Sequence, residues 1–405
     1  MAINKIDKAI LWEGREWVNR GGSLLEEDPL LAKRFIAKGI EGIPNEPIAW
    51  FNLGIALHQQ YRIHSAIRAY QYSLTLANCP QKEILQNLSH DLLLIGRFEE
   101  GWKCYENRLS QPKHDNSYFI NALGPAWQGF NDPRPCKQLI LVSEQGFGDT
   151  LQFIRLAIQL KEKGLNITIF CQKALARLLK EGSNLTTVLH EIKPDRLTKG
   201  TLWCPLLSLP NRLNLTKKSI QKAQGYLTVK DAKVKEWKQK LKRKKGHLLV
   251  AIHWQGNLKH ERSLYCKGRS MSFHNLLPLS GIKNVEFIAI QKGSGLQQID
   301  PNSSFPFVKG QKEFNVTLDF RDTAGVLANC DLLISADSGV VHLAGALGVP
   351  TWLALRWIPE WRWGIQTTNT PWYQNMELFR QPSNGDWNSV INRIAERLKE
   401  FSTIK

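Results

Sequence analysis

The sequence of 405 residues lacks any apolar run of the roughly 18 residues that a membrane-spanning helix needs. Charged residues also interrupt its first 20 positions, so it lacks the apolar stretch of a secretory signal. These absences predict a cytoplasmic protein without a transmembrane segment, and they leave open peripheral association with the inner membrane. The length exceeds what one hydrophobic core supports, which predicts two or three domains.

Cysteine is sparse, and its pattern is uninformative for binding. The seven cysteines are scattered and odd in number, and no two of them form a C-x-x-C pair. This pattern predicts reduced thiols, with neither a disulfide framework nor a zinc site.

Acidic residues are few: 36 Asp and Glu face 54 Lys and Arg, which gives a net charge of +18. Much of the excess lies between residues 230 and 245. A basic surface attracts nucleic acid, acidic membranes or phosphorylated small molecules. No nucleic-acid-binding motif accompanies the charge, so we interpret this segment as a solvated helix beside an interdomain linker and expect no nucleic-acid partner.

An internal repeat begins at residue 50 and follows the tetratricopeptide (TPR) pattern W-x2-L-G-x2-Y, A-x3-F, P of about 34 residues. The matching residues are Trp50, Leu53, Gly54, Ala66 and Pro80, with Leu57 and Tyr70 as conservative departures. A second copy places Gly101 and Tyr105 at an offset of 35 residues, and a degenerate earlier copy includes Ala32, Ile36 and Pro44. The segment resembles the TPR family, which implies a concave groove for a peptide or partner protein. An array that packs against the next domain and binds nothing remains the alternative.

Beyond residue 136, apolar runs of strand length alternate with helical patterns. The predicted strands are 139–143, 167–170, 248–254, 285–290, 332–335 and 351–355, and the predicted helices include 152–163, 174–181, 340–347 and 387–401. Continuous apolar strands that alternate with helices are typical of parallel sheets covered on both faces. The prediction is an α/β fold of two Rossmann-like lobes preceded by an all-α repeat segment. Its domains are 1–115 (repeats), 116–136 (linker), 137–229 (first lobe), 230–247 (basic helix and linker) and 248–405 (second lobe with a C-terminal helix).

A glycine-containing turn follows the first predicted strand of the first lobe. The turn and the helix after it supply a candidate site made of Gly146, Gly148, Asp149, Thr150 and Gln152. Leu151 stands where a dinucleotide fingerprint needs its third glycine, which disfavours NAD binding. Asp149 is either the N-cap of the helix or a general base placed where open α/β sheets bind ligands.

A second strand-turn-helix pattern contains Asp337, Ser338, Gly339 and His342. The first N–H groups of a helix and its dipole attract phosphate, and small residues let a pyrophosphate approach the backbone. Asp337 is expected to cap the helix or to contact donor hydroxyls. His342 is either a phosphate contact or a packing histidine.

Two further strand ends carry polar residues and cations that suit an anionic ligand. The first supplies Trp254, Gly256 and Asn257, followed along the chain by Arg269. The second supplies Gln291 and Lys292. We predict that these residues help to bind a nucleotide diphosphate.

Taken together, the motifs at residues 145–150, 254–257, 337–345, 361–363, 371–373 and 378–381 resemble the glycosyltransferase family that includes bacterial lipopolysaccharide heptosyltransferases. They look most like TPR-fused relatives, and the resemblance covers roughly residues 139–398. It implies a two-lobed GT-B fold of the glycosyltransferase family 9 kind, with the acceptor mainly on the first lobe and the nucleotide sugar on the second. It also implies that Asp149 is the base and that Ser338, Gly339 and His342 bind the diphosphate.

The resulting prediction is an inverting, metal-independent hexosyl- or heptosyl-type glycosyltransferase. It would use a nucleotide-diphosphate sugar as co-substrate, with no cofactor and no metal site, and the sequence contains no D-x-D triplet. The donor sugar is left open, as is the choice between a glycan, a lipid-linked and a protein acceptor, because the lipopolysaccharide enzymes lack the repeats. The alternative is a TPR interaction scaffold whose transferase lobes are inactive.

Overall fold

The computed structural model describes residues 5–78, 81–110, 117–185, 187–191, 199–220, 224–259, 261, 265–300 and 302–404. The chain divides into two compact units. The first contains Met1–Asp115, Asn214–Lys217 and Glu360–Ile365, and the second contains Asn116–Leu213, Lys218–Pro359 and Gln366–Lys405.

The first unit is built from helices that pair in sequence order. They are α1 (Lys5–Ser23), α2 (Pro29–Gly42), α3 (Pro47–Gln59), α4 (Ile63–Leu76), α5 (Lys82–Leu94) and α6 (Phe98–Tyr105), and α6 continues into the 3-10 turn Glu106–Ser110. The closest pairs are α1 with α2, α3 with α4 and α5 with α6. The all-helical character of this segment agrees with the prediction.

Small residues set the spacing within these helix pairs. A Cβ atom on Gly54 would lie 2.3 Å from the Tyr70 ring, and one on Gly101 would lie 2.7 Å from the Leu93 side chain. Close approach of this kind is possible only where one helix has no side chain. Helices α3 and α5 begin 35 residues apart, as do α4 and α6. Pro80 lies outside the described residues, and assignment to the TPR family remains a prediction.

A short segment from far along the sequence completes the first unit. Trp361 packs edge-on against Trp102 of α6, with ring centroids 5.2 Å apart. The Tyr61 hydroxyl donates to the Ile365 carbonyl at 3.0 Å. The motif at residues 361–363 therefore has a packing role inside the helical unit.

The second unit contains two parallel sheets. The first sheet has the order β3-β2-β1-β4, formed by β1 (Gln138–Val142), β2 (Ile167–Phe170), β3 (Thr187–Leu189) and β4 (Thr201–Pro205). Its helices are α7 (Ser117–Leu123), α8 (Phe147–Glu162), α9 (Lys173–Gly182) and α10 (Leu209–Arg212). All five residues of β4 are buried, as are four of the five in β1.

The second sheet has the order β6-β5-β7-β8-β9. Its strands are β5 (Leu248–His253), β6 (Val285–Ala289), β7 (Leu332–Ala336), β8 (Thr351–Leu355) and β9 (Met376–Arg380), and all pair in parallel. The accompanying helices are α11 (Asp231–Leu241), α12 (Gln311–Asn315), α13 (Phe320–Leu327), α14 (Gly339–Leu347) and α15 (Trp387–Ile404). Strands β5 to β8 are buried along their whole length, so this sheet is covered on both faces as predicted.

In each sheet the strand order reverses beside its first strand. Strand β1 lies between β2 and β4, and β5 lies between β6 and β7. Open α/β sheets bind ligands beyond the carboxyl ends of the strands at such a reversal. The turns after β1, β5 and β7 are therefore the places to look for a site.

The structure confirms the predicted α/β class with two Rossmann-like lobes, and all six predicted strands are present. It adds β3, β4 and β9, which the sequence analysis missed. The segment predicted as a linker, of which residues 117–136 are described, contains α7 and packs on the first sheet: Phe119 stacks on Trp203 at 5.3 Å, and the Trp203 indole donates to the Gly124 carbonyl at 2.8 Å. In the described part of the chain, every helix falls short of the length and apolar character that a membrane span requires.

Candidate functional site

The reversal of the second sheet brings His253 and Ser338 together. His253 is the last residue of β5, and Ser338 is the N-cap of α14. The His253 Nδ1 atom lies 3.2 Å from the Ser338 hydroxyl, and the two residues are only 7% and 9% exposed. The Ser338 hydroxyl therefore bonds to a side chain across the sheet, while the first N–H groups of α14 receive no side-chain cap.

Burial and, to a smaller extent, the charge of Arg269 together lower the pKa of His253 to about 4. The imidazole is therefore neutral at physiological pH. Sequence analysis did not select His253 as a site residue. The signal that could have found it is its place at the end of an apolar strand, directly before Trp254.

Arg269 lies against the turn that follows β5. A Cβ atom on Gly256 would be 3.4 Å from the Arg269 guanidinium, and the Gly256 N–H donates to the Ser270 hydroxyl at 2.9 Å. Glu261 lies 3.7 Å from the Arg269 Nε atom and accepts hydrogen bonds from Ser270. This network holds a cation beside His253. Asn257 is exposed, and its side chain caps the turn by accepting from the Lys259 N–H at 3.0 Å.

Gln291 supports the same turn from inside the lobe. Its Oε1 atom accepts from the N–H groups of Trp254 and Gln255, and its Nε2 atom donates to the carbonyls of Gln255 and Lys292. These four hydrogen bonds use the whole capacity of the amide. Gln291 therefore positions the turn, and Trp254 is fully buried beneath it.

Lys292 points toward α12. Its ammonium donates to the Phe314 carbonyl and lies 3.7 Å from the centre of the Phe314 ring. Burial lowers the pKa of Lys292 to about 8. The contacts of Lys292 are therefore with α12, whereas His253, Ser338 and Arg269 lie around the turn after β5.

One of the two expectations for Asp337, that it caps helix α14, is wrong. The N-cap is Ser338, so Asp337 is not the cap, because the extended backbone of Ser338 is the point where the helix begins. Asp337 is 8% exposed, and its carboxylate has no hydrogen-bond partner in the part of the chain described here. A contact to donor hydroxyls remains the prediction for this residue.

His342 is buried in α14 and pairs with an aromatic residue. Its Nδ1 atom lies 2.8 Å from the Tyr373 hydroxyl. A Cβ atom on Gly345, one turn later, would come within 2.4 Å of the Tyr373 ring. These contacts agree with the prediction that His342 is a packing histidine. The edge of its ring faces Gly148.

In the first lobe, the turn after β1 leads into α8, which begins at Phe147 with Gly146 as N-cap. The helix therefore starts five residues earlier than the predicted helix 152–163. Asp149 lies in its first turn, half-buried, and its Oδ2 atom accepts from the Gly146 N–H at 2.9 Å. This is the back-bond of a capping box, so Asp149 helps to fix the turn.

The next two predicted residues point into the lobe. Thr150 and Gln152 are fully buried, and the Thr150 hydroxyl donates to the Gln172 side chain at 3.0 Å. The Tyr226 hydroxyl donates to the Leu151 carbonyl at 2.7 Å from the far side of the helix. Thr150 and Gln152 thus secure α8, whereas Gly146 and Gly148 lie at its start.

The starts of α8 and α14 meet. A Cβ atom on Gly148 would lie 2.7 Å from the His342 ring and 3.2 Å from the Gly339 Cα atom. Beside them, Phe147 packs edge-on against Phe320, with centroids 5.0 Å apart. The two turns selected from the sequence are therefore in contact, and each of them carries the partial positive charge of a helix N-terminus.

Because of this contact, we expect Gly148→Ala to lower the free energy of unfolding by about 1–3 kcal/mol through overpacking. Alanine favours a helix more than glycine does, so propensity alone would predict the opposite sign. The measurement is the thermal unfolding midpoint of Gly148→Ala. The control is Gly281→Ala, because a Cβ atom at Gly281 would meet nothing within 4 Å. A Gly148→Ala midpoint at or above that of the parent would contradict the contact.

Residues 309–355 match the family described as Glycosyltransferase family 9 (heptosyltransferase). This segment contains β7, the Ser338 turn, α14 and β8. The chain is also 24% identical over 397 residues to Protein FlbA of Caulobacter vibrioides, which covers 91% of this chain and 64% of that protein. The chain thus spans somewhat less than two thirds of the length of this relative.

Two solved structures are similar at lower identity. The glycosyl transferase family 9 structure from Veillonella parvula is 12% identical with a TM-score of 0.47, over 67% of this chain and 98% of that one. The E. coli ADP-heptose lps heptosyltransferase II is 11% identical with a TM-score of 0.43, over 66% of this chain and 98% of that one.

The structure is thus that of an α/β protein with two parallel-sheet lobes, in which helices α8 and α14 meet at their starts. Residues 309–355 of the second lobe are thus similar to glycosyltransferase family 9, which agrees with the predicted family resemblance. It supports the prediction that the chain is a glycosyltransferase.

Proposed function

We propose that this protein transfers a sugar from a nucleotide-diphosphate sugar to an acceptor hydroxyl, with inversion at the anomeric carbon and without a metal ion. The observation that carries the proposal is the contact between the starts of α8 and α14, the two turns selected from the sequence. One of these starts lies inside the segment matched to glycosyltransferase family 9.

The diphosphate is proposed to bind at the start of α14. The first N–H groups of this helix have no side-chain cap, and Gly339 adds no side chain that would keep a phosphate group from the backbone. Arg269 supplies a full positive charge behind Ser338, on the side of His253. A helix N-terminus and a guanidinium together stabilise the charge that develops on a departing diphosphate, which is the task that a divalent cation performs in other enzymes.

Asp149 is proposed to be the general base. Its carboxylate would accept the proton of the acceptor hydroxyl while the hydroxyl oxygen attacks the anomeric carbon. The bond from that carbon to the diphosphate oxygen breaks, and the nucleoside diphosphate leaves with the electron pair. In this proposal the acceptor oxygen attacks the face of the sugar opposite the departing diphosphate, which inverts the configuration of the anomeric carbon.

The acceptor is a glycan, a lipid-linked molecule or a protein. A protein partner for the helical unit is also proposed, because that unit carries a groove of about 440 Å³ beside Trp50, Leu57, Arg68 and Tyr72. Proteins of this kind meet their nucleotide sugars in the cytoplasm, where we place this chain.

The proposal is tested by thermal unfolding with a panel of UDP, GDP and ADP sugars. A ligand that binds only the native state stabilises it, by about 2.7 kcal/mol when its concentration is 100 times its dissociation constant. We expect one nucleotide class to raise the unfolding midpoint, and the free sugars to leave it unchanged. No response to any nucleotide sugar would contradict the proposal and favour an interaction scaffold with inactive lobes.

A further inference from the structure

His253 is a buried polar side chain to which the proposed transfer reaction assigns no role. It stands at the strand reversal of the second sheet, with Nδ1 on the Ser338 hydroxyl. Its Nε2 atom has no hydrogen-bond partner among the described residues. An apolar side chain would fill this place at the end of β5 without any desolvation cost, so the imidazole needs an explanation.

The charges around His253 favour its neutral form before a ligand binds. Arg269 is the charge that acts on it directly, and Glu261 offsets Arg269 only in part from 3.7 Å. Among the described residues, titratable groups on the surrounding elements include Asp337 before α14, His342 within α14, Glu286 in β6, Lys292 after β6 and Asp149 at the start of α8. A bound diphosphate would change this balance, because it brings at least two negative charges to the N-cap that His253 contacts.

We propose that binding of a nucleotide diphosphate at the start of α14 is accompanied by uptake of one proton from solvent by His253. This inference rests on the proposed function, and it adds a positioning residue to the donor site. His253 acts through Ser338.

The hydrogen bond between the two side chains explains what the proton does. The neutral ring has one protonated nitrogen, and the imidazolium has two. Once His253 is charged, Nδ1 must donate to the Ser338 oxygen, whichever nitrogen held the proton before. The Ser338 hydroxyl then has its own hydrogen available for another acceptor, and the nearest new acceptor is a phosphate oxygen. Proton uptake thus turns Ser338 into a donor toward the ligand.

The pH dependence follows with a definite sign. The pKa of His253 is about 4 in the ligand-free protein and higher in the complex, since negative charge favours the imidazolium. Affinity is therefore lowest above the pKa of the complex and rises as the pH falls through it, by at most about tenfold per pH unit. The gain levels off below about pH 4.

The experiment uses the full chain and a nucleotide sugar chosen from the panel above, because its diphosphate does not titrate near neutral pH. Calorimetric titration at about pH 6, in two buffers of different ionisation enthalpy, gives the number of protons taken up on binding. We expect net uptake by the parent protein and none by His253→Gln. The matched control is His274→Gln, an exposed histidine of the same lobe, which should retain the uptake of the parent.

A second measurement avoids the risk that His253→Gln fails to fold. The ring signals of His253 in the parent protein, followed by NMR against pH, should titrate at a higher pH with the nucleotide sugar than without it. Binding without proton uptake, or with an unchanged titration of His253, would overturn this inference and leave the proposed function intact. Absence of binding by every nucleotide sugar would overturn both.

Discussion

Asp149→Asn is expected to reduce sugar transfer by about 10²–10⁴-fold, which is the contribution of a positioned general base. The amide cannot take the proton of the acceptor hydroxyl. Binding of the nucleotide sugar should change little, because the proposed diphosphate site lies on the other lobe. The measurement is the steady-state rate with saturating donor, together with the thermal shift that the donor produces.

Asparagine is the informative replacement because of the second task of Asp149. The side-chain oxygen that accepts from the Gly146 N–H at 2.9 Å is present in both residues, so the turn should keep its shape. Asp149→Ala removes that acceptor as well, and we expect it to lower the free energy of unfolding by about 1 kcal/mol. If both variants lose transfer and only the alanine variant loses stability, the role of Asp149 as a base is separated from its role in capping the helix.

Asp386→Asn is the matched control, since Asp386 also accepts the N–H of a residue at the start of a helix, from Ser389 at 3.0 Å. It lies before α15, away from the contact between the starts of α8 and α14, and its replacement should leave the rate of sugar transfer unchanged. Full activity in Asp149→Asn would remove Asp149 from the mechanism and leave it as a helix cap.

The two lobes could be predicted because their strands are buried on both faces. A strand such as β5 must then be apolar at every position except its end, and that pattern is readable without coordinates. Strand β3 has three half-buried residues, and β9 has the half-buried charged residues Glu377 and Arg380 among its buried ones, so neither produces a long continuous apolar run. The segment before β1 has the proline and glycine content of a linker, yet its aromatic residues pack on β4.

The candidate site was predicted less completely than the fold, for a geometric reason. Sequence locates a turn, but the direction of each side chain depends on the helix that follows. Thr150 and Gln152 lie beyond the first residues of α8 and turn into the lobe, whereas Gly148 faces the partner turn. Gln291 and Lys292 follow β6 directly, and neighbouring carbonyls take up their polar groups.

His253 shows the opposite error, a residue of the candidate site that the sequence analysis did not select. It ends an apolar strand, where a histidine resembles one more buried residue. Its significance comes from Ser338, which is 85 positions away in the sequence and becomes a neighbour only because β5 pairs with β7. Pairing between distant strands is the information that a single sequence does not contain.

The second large effect is expected for Arg269→Gln, which should lower kcat/KM by about 10²–10³-fold, as for the loss of one group that stabilises developing negative charge. Arg269→Lys should recover part of the loss, since it keeps the charge but not the forked geometry. The control is Lys283→Gln, which removes one exposed cation at the amino end of β6 in the same sheet.

Glu261 complicates the single replacement, because its carboxylate is only 11% exposed and would lose its nearby cation. A buried polar group without its partner costs about 1–3 kcal/mol. The double variant Glu261→Gln with Arg269→Gln removes both charges, so its stability should return toward that of the parent while transfer stays low. If transfer recovered together with stability, Arg269 would serve to hold the turn after β5, and the charge that stabilises the departing diphosphate would come from the start of α14 alone.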